Sequence, residues 1–316
     1  MLLQRIITAS ILAFLIALAV FLLPAEYFSL LIGLLTLFAA WEWAGLIGID
    51  TTRRRFYFFL AIFLPMAWLF FWTQFLEVGA RFLELGQQAV YQRAKSADWT
   101  SISSFMEGFN VPDIRTYSGI LEWLVIPPVL FWILIMLLIR NASADLLKLE
   151  FRLRYKALLG CFILLFAWLF LSRLRAFYGA EMTMYFLVLI WLADISAYFV
   201  GKKYGKTKLA PEVSPGKTIE GMYGALLAGL VCGIAISLFY GFQFLIAADF
   251  ALLSILTVLI SIYGDLFFSL AKRKRGVKDS GHILPGHGGV LDRIDSVIAA
   301  APFFYAGVIM IYRQIS

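Results

Sequence analysis

Nine stretches of this chain run apolar for roughly the length of a membrane-crossing helix, which takes about 20 mainly apolar residues. They fall near residues 6–23, 28–47, 56–75, 120–139, 157–171, 185–200, 221–240, 252–270 and 295–312. Average soluble domains are about 45–50% apolar and about 25% charged. Here 62% of the 316 residues are hydrophobic, only 15% are charged, and the mean hydropathy is +0.87. The expected fold class is therefore all-α, a polytopic membrane bundle of about nine helices with brief connections. Its first segment, with Arg5 ahead of an apolar run, has the look of a signal peptide without a small-x-small cleavage site, so an uncleaved signal-anchor is expected.

Charge orients the bundle. With nine spans, one side collects Arg5, the arginines of 53–55, and the cations of 140–156, 201–220 and 272–293, twenty of the 27 lysines and arginines. The positive-inside rule places that side, and the N-terminus with it, in the cytoplasm. Residues 1–119 read as N-terminal membrane helices plus a polar insert on the opposite side. Residues 120–316 read as C-terminal membrane helices carrying the site, the two parts forming one integrated unit. Within the insert, Phe75, Val78, Phe82 and Leu85 recur at near-helical spacing, which predicts an amphipathic piece at the membrane surface. Pro127-Pro128 predicts a kink or break in the fourth span. Cys161 and Cys232 lie inside apolar segments without metal or redox spacing and read as small buried hydrophobes.

Residues 269–295, SLAKRKRGVKDSGHILPGHGGVLDRID, break the apolar pattern between the last two spans. Just before them, Asp265 sits within the eighth span, where a carboxylate costs a few kcal/mol and is normally functional or paired. On a helix, Asp265, Ser269 and Lys272 share one face; the plain alternative is an Asp265–Lys272 ion pair. Lys272, Arg273, Lys274, Arg275 and Lys278 lie among glycines, a composition that suits phosphate oxygens. The turn Pro285-Gly286-His287-Gly288-Gly289 can converge backbone N–H groups on an anion. Asp292 and Asp295, one turn apart at the start of the ninth span, could each be no more than an N-cap. Asp265 with Asp292 across a cationic loop suits Mg²⁺, which takes one or two carboxylates plus substrate phosphates. The helix N-terminus there also favours phosphate.

A second polar loop, GKKYGKTKLAPEVSPGKTIEG, follows Asp194, another intramembrane carboxylate. Its Gly-Lys-Thr is not a P-loop, because Pro211 stands where the first glycine belongs and no strand is expected before it. Ser214, Lys217 and Thr218 remain candidates for a phosphate-binding lip. His282 and His287 lack a third ligand for zinc; His287, between glycines, can touch a phosphate or act as a base.

These blocks resemble the phosphatidate cytidylyltransferase (CDP-diacylglycerol synthase) family. Its pattern S-x-x-K-R, four residues, K-D-x-G, P-G-H-G-G, two residues and D-R-x-D is met here by Ser269, Lys272-Arg273, Lys278-Asp279, Gly281, Pro285 to Gly289, Asp292-Arg293 and Asp295, with every spacing kept. Gly264-Asp265-Leu266 and Ser214-Pro215 with Lys217-Thr218 also look like family blocks. The match covers roughly residues 190–300. Phe268 departs where the family usually has an acid, Ala271 where a larger apolar residue is common, and Gly216 where lysine is common.

The resemblance implies transfer of the cytidylyl group of CTP to phosphatidic acid, dependent on Mg²⁺ with room for a second metal ion, at the cell inner membrane with the active site toward the cytoplasm. Asp265 and Asp292 are expected to hold the metal and, with Lys278 and Arg293, to form the catalytic set. Ser214, Lys217, Ser269, Lys272, Arg273, Gly286, His287, Gly288 and Gly289 are expected to bind substrate. The expected partners are CTP, phosphatidic acid and the bilayer, with no nucleic acid; a homodimer is left open. The alternative readings are a CTP-dependent lipid kinase of the dolichol or phytol kinase type and, from another class, a transporter.

Overall fold

The computed structural model describes residues 2–97, 99–100, 119–281 and 288–315. Apart from one small hairpin, its elements are helices: α1 (Leu2–Leu22), α2 (Ala25–Leu46), α3 (Thr52–Phe70), α4 (Trp72–Ser96), α5 (Ile120–Trp123), α6 (Ile126–Lys148), α7 (Leu153–Tyr204), β1 (Lys208–Ala210), β2 (Ser214–Thr218), α8 (Ile219–Tyr240), α9 (Phe244–Arg275) and α10 (Leu291–Ile315).

The chain forms two compact units, residues 1–63 with 125–316, and residues 64–124. In the larger unit α7, α8, α9 and α10 pack as consecutive neighbours, α10 returns to α7, and α2 lies along α7. Small residues set the closest approaches, as expected where lipid gives helices no hydrophobic drive and packing must hold them. A Cβ on Gly233 would come within 2.5 Å of Ala251 Cα, and one on Gly264 within 2.3 Å of Ala299 Cβ. The second of these draws α9 against α10 beside Asp265.

In the smaller unit, α3 gives way to α4 through a 52° bend. Trp68 stacks on Phe75 across the bend, with ring centroids 4.7 Å apart. The amphipathic spacing seen in the sequence materialises as α4, with Phe75, Val78, Phe82 and Leu85 exposed. The remainder of the polar insert, residues 101–118, lies outside the described residues.

Six described helices are long and apolar enough to cross a membrane, or seven if the bent α3–α4 pair is one span, so the chain is a multi-span membrane protein while the count of nine is not confirmed. The difference has three sources. The fifth and sixth predicted spans are the two arms of α7, which breaks at Gly179 with φ 82° and ψ −178°, so this 52-residue element counts once among the six. A straight helix of that length would reach about 78 Å at 1.5 Å per residue, far beyond a hydrocarbon core of about 30 Å. The third span is the bent pair, and the apolar part of α1, Ser10–Leu22, is shorter than a span. The break expected from Pro127-Pro128 falls just ahead of them, between α5 and α6. The prolines sit in the first turn of α6, where a missing N–H leaves no bond unmade.

Candidate active site

Asp265 lies in the last third of α9, and the two sides of the helix there differ sharply. Phe267 stacks with Trp43 of α2 at 6.1 Å, and Phe268 meets Trp43 edge-on at 5.8 Å. Trp132 of α6 meets Phe267 edge-on at 5.5 Å. Phe268, at 1% exposure, therefore belongs to an aromatic wall behind the site. On the other side Asp265 Oδ2 stands 2.7 Å from Lys217 Nζ, and Ser269 Oγ donates to Asp265 Oδ1 at 3.2 Å. Lys217 also reaches the carbonyl of Ile262 at 3.4 Å. The partner of Asp265 is thus Lys217, and the alternative Asp265–Lys272 pair does not form.

Lys217 gets there because the 201–220 loop closes into an antiparallel hairpin, pairing Lys208 with Thr218 and Ala210 with Ser214. Thr218 caps α8, its hydroxyl accepting from Gly221 N at 3.1 Å. Glu220 accepts from Lys206 and Thr207 N–H groups and ties the hairpin base to α8. The sequence signal for a loop was correct in polarity, but strands of three and five residues are too short to show a period-two pattern.

Lys272 Nζ lies 2.7 Å from Asp292 Oδ1. The other oxygen of Asp292 accepts the N–H of Ser280 at 2.8 Å and of Gly289 at 3.0 Å. This pair is sealed, its side chains 12% and 9% exposed, whereas Lys217 and Asp265 are 27% and 30% exposed. One acid–base pair is therefore open to a ligand and the next one organises the loop. Gly288, at φ 83°, takes the left-handed backbone that this turn requires.

The tetrabasic run radiates. Arg273 Nε donates to the carbonyl of Val213 at 3.2 Å, at the tip of the hairpin. Lys274 donates to the carbonyl of Leu149, and Arg275 pairs with Asp50 at 3.0 Å. With Lys272 on Asp292, four consecutive cations bind four different segments. They also occupy the last turn of α9, where positive charge complements the helix dipole, before Gly276 ends the helix at φ 74°.

Sequence reasoning missed Glu42 on α2. Its carboxylate is 4% exposed. Oε1 accepts from Val290 N at 2.9 Å, and Oε2 accepts from Leu291 N at 2.8 Å and Ser280 Oγ at 2.9 Å. Two glycines of the sequence pattern make room for it, since a Cβ on Gly281 would fall 2.6 Å from Oε1 and one on Gly289 2.3 Å from Oε2. The signal was present: an acidic residue inside an apolar span, the same feature that singled out Asp265.

Asp295 is more than an N-cap. It is 8% exposed and has Asp265, Lys272 and Lys217 as electrostatic neighbours, while Asp194 has Asp265 and Lys217. Among the described residues no group of three or more His, Cys, Asp or Glu side chains could by itself hold a metal ion. The donor chemistry still fits a hard divalent cation: carboxylate oxygens around the open Asp265, too few to complete a shell, leave the rest to water and substrate phosphate.

The other predicted residues distribute as follows. Ser214 is half-buried where β2 begins, Lys278 and Arg293 are exposed on either side of the loop, and Gly289 is buried against Glu42. Gly286 and His287, with His282, lie outside the described residues.

A helical membrane bundle with a lysine–carboxylate cluster at the ends of its last helices is the setting in which the chain's relatives can be read. The profile of the Cytidylyltransferase family matches residues 3–311, and the chain belongs to that family. It is 33% identical to a phosphatidate cytidylyltransferase of Haemophilus influenzae over 96% of this chain and 97% of that one. It is 36% identical to one of Pseudomonas aeruginosa over 97% and 96% of the two chains. A phosphatidate cytidylyltransferase of Bacillus subtilis is 44% identical over 40% of this chain and 47% of its own. The protein is a membrane-embedded nucleotidyltransferase.

Proposed function

We propose that the enzyme transfers the cytidylyl group of CTP to phosphatidic acid, releasing pyrophosphate and leaving CDP-diacylglycerol in the membrane. The observation that carries this is the open Lys217–Asp265 pair beside the sealed Lys272–Asp292 pair. A phosphate oxygen of the lipid forms a bond to the α-phosphorus of CTP while the bond to the β-phosphate oxygen breaks. Both reactants are polyanions, so the task is charge neutralisation and alignment rather than proton removal. The lipid phosphate is already ionised at neutral pH, and no strong base is needed.

Lys217 and Lys272, with Arg273, Lys278 and Arg293 nearby, supply the positive charge, and Ser214 and Ser269 supply hydroxyl donors. Of the glycine turn, Gly288 is the described candidate for contact with the triphosphate, since the N–H of Gly289 is already given to Asp292. Asp265 would hold Mg²⁺ from its open side, and Asp292 would join it as a ligand where Lys272 passes from its Oδ1 to the triphosphate. Bound there, the metal offsets triphosphate charge and polarises phosphate oxygens. The aromatic wall of Trp43, Trp132, Phe267 and Phe268 excludes water behind the carboxylates, which strengthens every charge interaction in front of it. The excess of lysine and arginine in the polar loops supports a cytoplasmic face for this end of the bundle, in the inner membrane of the cell. The reading requires no second copy of the chain.

The test is product analysis on protein purified in detergent, with phosphatidate and CTP labelled at either the α or the γ phosphate. Label from the α position in lipid and from the γ position in pyrophosphate is expected. The γ label in lipid, with CDP released, would identify a lipid kinase and overturn the proposal.

A further inference from the structure

Glu42 lies 248 residues before Val290 in the chain, yet its carboxylate accepts three hydrogen bonds from the loop that carries Asp292. The two carboxylates share this loop. Ser280 gives its backbone N–H to Asp292 and its hydroxyl to Glu42. Gly289 gives its N–H to Asp292, and the next two N–H groups, of Val290 and Leu291, go to Glu42. Asp292 in turn holds Lys272. Moving Glu42 therefore moves donors that fix the orientation of Asp292, and through it the ammonium of Lys272.

Glu42 itself is held from behind. Its neighbour Trp43 donates Nε1–H to the carbonyl of Lys156 at 3.1 Å and stacks on Phe267. A Cβ on Gly160 would overlap that indole at 2.1 Å, so α2 sits hard against α7 at this point. The rotation of α2 about its axis is set by Trp43, and that rotation aims Glu42 at the loop. A buried carboxylate so anchored can place the loop to within the few tenths of an ångström that catalysis requires.

We propose that Glu42 is a positioning residue for cytidylyl transfer: without touching either substrate, it fixes Ser280, Val290 and Leu291 so that Asp292 and Lys272 meet the triphosphate in the reactive alignment. This rests on the assignment of Asp265, Lys272 and Asp292 to the catalytic site. Only a carboxylate meets the demand, because all three partners are donors. A glutamine presents one oxygen and must turn its NH₂ toward the N–H of either Val290 or Leu291, which sit on different oxygens of Glu42. An aspartate keeps the charge but stands one methylene short.

The experiment compares wild type, Glu42→Gln, Glu42→Asp and Ser280→Ala, full-length in lipid nanodiscs. It measures kcat and KM for CTP together with amide hydrogen exchange of residues 277–281 and 288–291. Glu42→Gln is expected to lower kcat by about a hundredfold, as one backbone N–H loses its acceptor and the remaining bonds lose their charge, with KM for CTP within about threefold. Exchange in the two loop segments should accelerate, while α8 keeps its protection. Glu42→Asp should recover part of kcat. Ser280→Ala removes one donor from an otherwise intact loop, and kcat should fall by about fivefold.

An unchanged kcat, a change confined to KM, or loop exchange equal to wild type in Glu42→Gln overturns the proposal. Should that variant not be recovered folded, Ser280→Ala decides: a lowered kcat with faster loop exchange supports the proposal, and wild-type kcat overturns it. The exchange measurement does not depend on which reaction is catalysed. A wild-type enzyme making a different product would therefore count against the assigned reaction and leave the loop-fixing result standing.

Discussion

Lys217 Nζ and Asp265 Oδ2 are 2.7 Å apart, which ties a two-stranded hairpin to a carboxylate set within a membrane-crossing helix. The pair is about 30% exposed, so water can compensate either member when the other is removed. Lys217→Met should therefore cost less than about 1 kcal/mol of stability. Activity should fall by about a hundredfold or more, the usual consequence of deleting a preorganised donor to a developing charge. Thermal unfolding and CTP turnover on the same preparation check both halves.

The sealed pair should behave in the opposite proportion. Lys272→Met leaves Asp292 charged and nearly buried, and breaking such a pair from one side costs about 3–5 kcal/mol. Adding Asp292→Asn should return much of the stability and none of the activity. A double-mutant cycle by denaturant unfolding, with turnover measured in parallel, separates the two roles.

Removal of divalent metal with EDTA should abolish turnover, and Mg²⁺ should restore it without refolding. In Asp265→Asn, with one carboxylate oxygen replaced by an amide nitrogen, the Mg²⁺ concentration for half-maximal activity should rise by about tenfold or more. Turnover titrated against Mg²⁺ at saturating CTP is the measurement. An Mg²⁺ dependence identical to wild type would remove Asp265 from the metal site.

Two glycines of the polar loops should respond differently to side chains. A Cβ at Gly289 would fall 2.1 Å from Ser280 Oγ and 2.3 Å from Glu42 Oε2, so Gly289→Ala should destabilise by about 1–3 kcal/mol as the buried bonds of Glu42 are displaced. At Gly216 nothing lies within 4 Å and φ is not positive, so Gly216→Lys should stay within about 0.5 kcal/mol of wild type. Unfolding midpoints of the two variants decide this.

What could be read from the sequence follows from where the chemistry leaves a local trace. Asp265, Lys272 and Asp292 announce themselves because charges inside or beside an apolar helix are costly, and their spacing along one segment is fixed. The amphipathic helix α4 was legible in Phe75, Val78, Phe82 and Leu85 for the same reason. Partner choice was not legible. Asp265 sits one helical face from Lys272 in sequence terms, yet it pairs with Lys217, 48 positions away, because the hairpin delivers that lysine. Gly281 and Gly289 suggested close approach of phosphate, while the structure sets the Glu42 carboxylate against both. The fifth and sixth apolar runs do appear as the two arms of α7, but one glycine carries no direction, and Gly179 gave no warning that the break would fall there.

The grip of Glu42 on Val290 and Leu291 also has a bearing on how the protein is made. At roughly 5–20 residues per second, a ribosome needs roughly ten to fifty seconds to travel from the codon for Glu42 to that for Val290. Throughout that interval the acid resides in the second helix without its three donors, an arrangement lipid tolerates poorly. Nascent chains halted short of α10 should thus be inert and hold an unmatched acid in the bilayer, and the arrival of that helix would complete the catalyst and satisfy the acid together.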